Sequence, residues 1–467
     1  MPILAVRIGS HLDAFAPEIS YAVSQLCACV DVAVDFGIHD KPVPSNSIGT
    51  IYYGVNCPLY ANNGGLNLIV GDSGFFKSGF FLRPDSVPSS VQRISQNEVS
   101  QKVGQLLPED DFISLFKGIE ECSVKKDERQ IPLPWDIIAS AFYLLTGYED
   151  YVISERDEHG RLLHDSCIAS RFGFEERPLV DEYRYFLSAL LGLPQVEGIG
   201  PGFILTVDVD HLTIFRNKKQ ILRSIAADVL KRKNPLLALR RIYYEMGNKE
   251  EQDIAGIFAL ATFGREYSIP TMFNFMAAEP GFLDSGYDIN APDAKDIVSM
   301  LRDMGCTIGF HPGYGAGENR DAWMRELNRL RNAVGEPIVG GRQHYLRSSY
   351  PSTWRLYADS GLALGSNMAF SESAGFRAGT AGVFQTWDIL QRKELNHAEQ
   401  PLVFMDDTYR HRIDEGWPVF ERLYRRSQKY GHRMTTLFHN TSLIDPFMLN
   451  KYAEAKREWL NRMRALL

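Results

Sequence analysis

The sequence predicts an α/β protein: a (β/α) barrel of about seven strands preceded by a smaller α/β domain. Three observations point there. From residue 202 onward, short β-branched or aromatic runs alternate with amphipathic stretches of helical length, the rhythm of parallel strands joined by crossover helices. Before about residue 195 the texture differs, with helix and short apolar strands mixed among turn clusters. The composition of the 467 residues is 45% hydrophobic, 23% charged and 12% aromatic, which excludes disordered and fibrous chains.

The first region, 1–195, carries a helix over Pro17–Cys29, strands over Gly49–Tyr53 and Asn67–Val70, and a turn cluster over Ala61–Gly65. A second helix opens near Pro134-Trp135-Asp136, with Ile137, Ile138, Ala141, Phe142, Leu144 and Leu145 on its buried side. The Gly- and Pro-containing stretch Leu193–Gly202 marks the boundary to the second region, 196–467. There the expected strands are Phe203–Val209, Thr271–Met276, Cys306–His311, Pro337–Gly340, Leu364–Met368, Pro401–Met405 and Arg433–Phe438. Helices are expected over Ala291–Met304, Arg320–Ala333, Tyr350–Ser360, Gly416–Lys429 and Pro446–Leu466. The alternation suits an open doubly wound sheet or a β/α barrel, and about seven strands over about 265 residues fit the barrel. In both architectures an active site lies at the carboxyl ends of the strands.

Charge and cysteine usage narrow the class. Fifty Lys and Arg against 58 Asp and Glu leave a net charge of −8, which argues against a nucleic-acid binder. No apolar run approaches the ~18 residues of a membrane span, and MPILAVRIGSHLDAF lacks the pattern of a signal peptide. The six cysteines, at 27, 29, 57, 122, 167 and 306, form no C-x-x-C. They read as buried thiols of a reducing compartment, the cytoplasm, and not as a zinc site. One segment departs from the average: Arg216–Gly247 holds nine Lys and Arg against two acidic residues. It reads first as a solvated helical insertion. The sharper alternatives are a basic lid for an anionic substrate and contact with an anionic membrane surface.

The ionisable residues gather at strand ends. Phe203–Val207 runs into Asp208-Val209-Asp210-His211; an N-cap explains one Asp but not two with a His. Cys306–Phe310 ends in His311, Arg342-Gln343-His344-Tyr345 follows Pro337–Gly340, and His439-Asn440 follows Met434–Phe438. Asp and His side chains from separate strand ends suit a divalent metal with a position left open for water, and hence metal-assisted hydrolysis. The glycines of 198–202 and 313–317 read as turns, since no phosphate-loop pattern is present.

The order Thr206-Val207-Asp208-Val209-Asp210-His211, Gly309-Phe310-His311-Pro312, Arg342-Gln343-His344-Tyr345, Gly375-Phe376-Arg377-Ala378-Gly379-Thr380 and Leu437-Phe438-His439-Asn440 resembles the polysaccharide deacetylase family. The upstream run Leu133–Tyr151 is similar to the N-terminal domain of one bacterial branch of it. The resemblance implies a distorted (β/α) barrel and metal-dependent removal of acetyl groups from sugars in surface-polysaccharide assembly. It implies Asp208 as general base, Asp210 and His311 as metal ligands, Arg342 as the arginine that orients the catalytic Asp, and His439 as the acid that protonates the leaving amine. Tyr345 falls where a backbone N–H helps hold the oxyanion. The implied ion is Zn²⁺, with Ni²⁺ or Co²⁺ as alternatives, and the implied partner is an acetylated sugar or glycan, anionic or carrier-linked.

One departure matters. The family's second metal His lies four residues after the first, where this chain has Gly315, so the third ligand must come from elsewhere; His211 and His344 are the nearest candidates. That departure keeps a second class open, a deacetylase-like barrel without catalysis that acts as a carbohydrate-binding or scaffold protein. Hydrolysis of a non-sugar amide on the same fold is a third. Arg377, Trp387 and Asp406 complete the expected substrate contacts, the tryptophan as a stacking platform and Asp406 at another strand end.

Overall fold

The computed structural model describes residues 2–28, 30, 32–55, 65–104, 109–118, 129–193, 202–212, 218–231, 233–236, 238–239, 242, 249–279, 283–284, 287–409, 412–440 and 451–467. Most of the expected turn cluster at 61–65, most of the boundary stretch 193–202, part of the basic segment, the start of the last expected helix and three cysteines (Cys29, Cys57 and Cys122) lie outside them. The chain forms two compact units. The first comprises Met1–Gly198, Ser349–Arg355 and Phe376–Ala398, and the second Ile199–Ser348, Leu356–Gly375 and Glu399–Leu467.

The first unit begins with β1 (Ile3–Ile8), β2 (Ala33–Ile38), β3 (Ser47–Tyr53), β4 (Leu66–Val70), β5 (Gln92–Ser95), β6 (Asp111–Ser114) and β7 (Gln130–Leu133). Five of these make a parallel sheet in the order β2-β1-β3-β4-β7, and β5 and β6 pair antiparallel. The helix Ile137–Leu145 is buried at every position, which its continuous apolar sequence dictates. Asp136 caps it, accepting from the backbone N–H of Ala139 at 2.9 Å. The other Asp136 oxygen accepts from the Tyr53 hydroxyl (2.8 Å) and from the backbone N and hydroxyl of Ser73 (2.9 and 2.6 Å). Burial outweighs these donors and pushes the carboxyl up to about 6.

The second unit carries β8 (Phe203–Val209), β9 (Thr271–Met276), β10 (Thr307–His311), β11 (Gly340–Gly341) and β12 (Leu364–Gly365). The chain returns to the first unit for β13 (Phe384–Asp388) and most of β14 (Lys393–Glu399), then adds β15 (Phe404–Met405) and β16 (Met434–His439) to the second. Within the second unit seven strands lie in the order β12-β11-β10-β9-β8-β16-β15, every neighbour parallel. The parallel α/β arrangement is as expected; closure is not seen. Among the described residues no pairing joins β12 to β15, so the sheet is open. The strands toward its ends are two residues long where four or five were expected. Pro337 and Pro401 lie in the missing parts, and proline has no N–H to offer a ladder. The central strands β8 and β9 cover the residues expected of them, because their apolar runs suit strands buried on both faces. Helices Pro292–Asp303, Arg320–Val334 and Ile413–Lys429 alternate with the strands, as does Ser352–Asp359, whose first four residues belong to the first unit. No helix among the described residues is long and apolar enough to cross a membrane.

Candidate metal centre and active site

Register sets the floor of the site. Parallel pairing puts His439 of β16 opposite Asp208 of β8, and Asp208 opposite Asn274 of β9. Asp208 is buried. Its Oδ1 accepts from the Asn274 amide at 2.8 Å and from Arg342 Nη1 at 3.1 Å. Arg342, wholly buried, donates its remaining groups to Ser366, Nε to the carbonyl at 2.7 Å and Nη2 to the hydroxyl at 2.7 Å. A buried guanidinium held by these three hydrogen bonds is a rigid arm. Two glycines make the approach possible. A Cβ on Gly341, just before Arg342, would lie 1.9 Å from the Phe310 carbonyl oxygen, and one on Gly309 would lie 2.1 Å from Oδ1 of Asn274.

Three ligand atoms converge above this floor. His311 Nε2 stands 3.0 Å from His344 Nδ1 and 3.4 Å from Asp210 Oδ1, and His344 Nδ1 stands 3.6 Å from that same oxygen. The second nitrogen of each ring identifies the tautomer. His311 Nδ1 lies 2.7 Å from the Arg342 carbonyl, and His344 Nε2 lies 2.9 Å from the Leu283 carbonyl. A carbonyl only accepts, so both of those nitrogens carry hydrogen. In the neutral rings, Nε2 of His311 and Nδ1 of His344 are then lone pairs turned toward one another. Asp210 Oδ1 is buried and has no hydrogen-bond partner among the described residues. Two facing lone pairs and an orphaned carboxylate oxygen are what a cation would satisfy. The spacing fits, since ligand atoms about 2.0–2.2 Å from one zinc ion stand roughly 3–3.6 Å apart.

The electrostatics of Asp210 and His344 agree with that reading, while His311 is held toward its protonated form, a proton that a bound cation would displace. Burial opposes the charge of Asp210, yet the surrounding His311, His439 and His344 hold its carboxyl well below the usual range. Burial, followed by the neighbouring His311, pushes His344 down to about 4, so its ring is neutral at pH 7. Burial also acts against the charged form of His311, but Asp208 and Asp210 raise it above the ordinary histidine value.

The opposite wall belongs to His439. Its Nδ1 meets Asp406 Oδ1 at 2.8 Å, and its backbone N–H donates to Asp406 Oδ2 at 3.0 Å. Burial works against its charge, but Asp406, with Asp407 and Asp210 nearby, pushes His439 up to about 10. The ring is therefore an acid at neutral pH. Asp406, expected to touch substrate, has both oxygens on His439 and positions it.

The remaining expectations divide. Tyr345 has a left-handed backbone (φ 57°) and an exposed ring packed at 4.4 Å from His344 and 5.5 Å from Tyr314, so it borders the site. His211 is exposed and offers its carbonyl to Asn440 at 2.7 Å; its ring is not in the ligand group. Between the two candidate third ligands, the structure brings only His344 to the metal group. Arg377 and Trp387 belong to the first unit and are not in this cluster. Arg377 donates to the buried Asp150 at 2.7 Å, and Trp387 is buried with its ring 4.9 Å from that of Tyr21. Both are held by charge pairing and apolar packing that the motif order does not reveal. Asn274 and Ser366 escaped the sequence reading. A lone amide inside the apolar strand Thr271–Met276 was the available signal for the first; Ser366 gave none.

Residues 12–193 match the profile of a family described only as being of unknown function, DUF7033. No curated protein matches the chain. Among solved structures, that of a candidate polysaccharide deacetylase from Mycobacterium smegmatis is similar, with a TM-score of 0.35 and 13% identity, over 58% of this chain and 87% of the other. These are likenesses only. The family match ends before β8, so the chemistry of the second unit rests on its own geometry.

Proposed function

We propose that the chain is a metal-dependent hydrolase that removes the acetyl group of an N-acetylated sugar or glycan, cleaving a linear amide, in surface-polysaccharide assembly. The observation that carries it is the meeting of Asp210, His311 and His344 ligand atoms beside an arginine-held Asp208 and opposite a protonated His439. The order of the five motifs supports the choice of acyl group. A divalent ion held by those three residues, Zn²⁺ foremost and Ni²⁺ or Co²⁺ as alternatives, would polarise the acyl carbonyl and acidify water.

The chain's own groups do the rest. Asn274 and Arg342 bind Asp208 at Oδ1, which leaves Oδ2 to take the proton of the attacking water. Nδ1 of His439 is engaged by Asp406, so Nε2 is the position that hands a proton to the departing nitrogen. Tyr345, exposed at the rim, borders the incoming sugar.

The test is acetate release from N-acetylglucosamine oligosaccharides by the zinc-loaded chain. Asp208→Asn is expected to lower the rate by about 10²–10⁴-fold while metal content, read by mass spectrometry, stays at the wild-type level. Unchanged turnover by that variant would sink the mechanism.

A further inference from the structure

The segment that follows β8 is built the wrong way round for a protein surface in water. Leu222, Ala226 and Val229 are spaced by four and three residues along the helix Lys218–Leu230, so they share one face. That face is exposed. Leu222 is 66% exposed and Leu230 78%; beyond the helix Leu236 is 55% and Leu239 62% exposed, and Ile242 is also open. Scattered single leucines on a surface need no explanation, but a run of them within about twenty residues does.

Charge completes the pattern. Between residues 218 and 242 the only acidic residue is Asp228, and it is fully buried. Arg223, Lys231 and Lys233 are exposed among the leucines. Among the described residues of this segment, the exposed side therefore offers apolar side chains and cations with no exposed acidic residue, inside a chain of net charge −8. A basic amphipathic segment of this kind lies in the headgroup plane of an anionic bilayer, its apolar residues below the headgroups and its cations among them. A protein partner in water would leave some cations without countercharge unless it were itself strongly acidic.

We propose that the exposed apolar residues and cations described between Leu222 and Ile242 form a peripheral docking surface for an anionic lipid membrane. Docking joins the membrane to the segment whose helix begins eight residues after Asp210, and it is independent of the hydrolase reading because it requires no turnover.

The experiment is co-sedimentation of the full chain with phosphatidylcholine vesicles, with and without phosphatidylglycerol. Partition is expected to be at least about tenfold higher on the anionic vesicles and to fall as salt is raised. The exposed triple substitution Leu222→Ser, Leu230→Ser, Leu239→Ser is expected to remove binding, and Lys231→Gln with Lys233→Gln to reduce the anionic preference. Circular dichroism of each variant checks that the fold is retained. Absence of binding, equal binding to neutral vesicles, or full binding by the leucine variant would each overturn the proposal. So would self-association without vesicle binding, seen as a concentration-dependent mass that the leucine variant abolishes.

Discussion

His344 shows how one residue can answer for another. The position four residues after His311 is Gly315, whose Cα faces open space, so that position supplies no ligand. The imidazole arrives instead from the loop after β11, with Nε2–H tied to the Leu283 carbonyl and Nδ1 turned to His311. Gln343 beside it is pinned through its backbone N–H to Asn367 Oδ1 at 2.9 Å, and Glu399 holds the backbone N–H groups of Asn367 and Met368. Such outer bonds fix ring orientation and usually matter to affinity by 10–100-fold. His344→Ala is therefore expected to weaken Zn²⁺ binding by at least about tenfold in a chelator competition titration. His211→Ala is expected to leave it unchanged. Equal loss in both variants would return His211 to the ligand set.

At the scale of the element, strand ends and helix starts carry the polar residues, and the interiors carry the packing. Asp136 is the clearest case in the first unit. It caps Ile137–Leu145 and also receives Tyr53 from β3 and Ser73 from the turn after β4, so one carboxylate ties a helix to two strand ends. Asp136→Ala removes the cap and leaves buried donors without an acceptor. The expected cost is about 2–4 kcal/mol, measured by urea unfolding; a loss under about 0.5 kcal/mol would show that water replaces the carboxylate. The start of this helix was legible in sequence, because a Pro-x-Asp stretch before a run of apolar residues marks a helix N-terminus; that Asp136 is its cap is seen in the structure. The two-residue strands β11, β12 and β15 were legible only as places, since their length depends on which neighbours pair with them.

At the scale of the whole molecule, folding moves protons. Glu149 is buried in the first unit, where its carboxylate accepts from the backbone N–H of Ile168 at 2.9 Å. Burial, only partly offset by Arg377, pushes it up to about 7. A carboxyl raised on folding binds more protons in the folded state than in the unfolded one. Its contribution to stability is therefore present below the ordinary carboxyl range and lost as pH rises toward the folded value. Glu149→Gln keeps an acceptor for Ile168 and removes the titration. Relative to wild type, the variant is expected to gain about 1–3 kcal/mol between pH 5 and pH 8 in urea unfolding at the two values. A constant difference between the proteins would rule out titration of this group across that range.

The alternation of parallel strands and helices, and the positions of Asp208, Asp210, His311, Arg342, His344 and His439 at or just after strand ends, are readable from the amino-acid order. Those features are local: apolar runs bury strands, and ionisable residues are costly to bury among them unless paired, so they gather toward the strand ends. Tertiary structure alone decided which of these side chains meet. Strand order puts His439 and Asn274 on either side of Asp208, selects His344 over His211, turns Asp406 onto His439, and places Arg377 and Trp387 in the other unit. Spacing along the chain carries no record of these choices, because they are made by register and by the direction of a side chain from a loop.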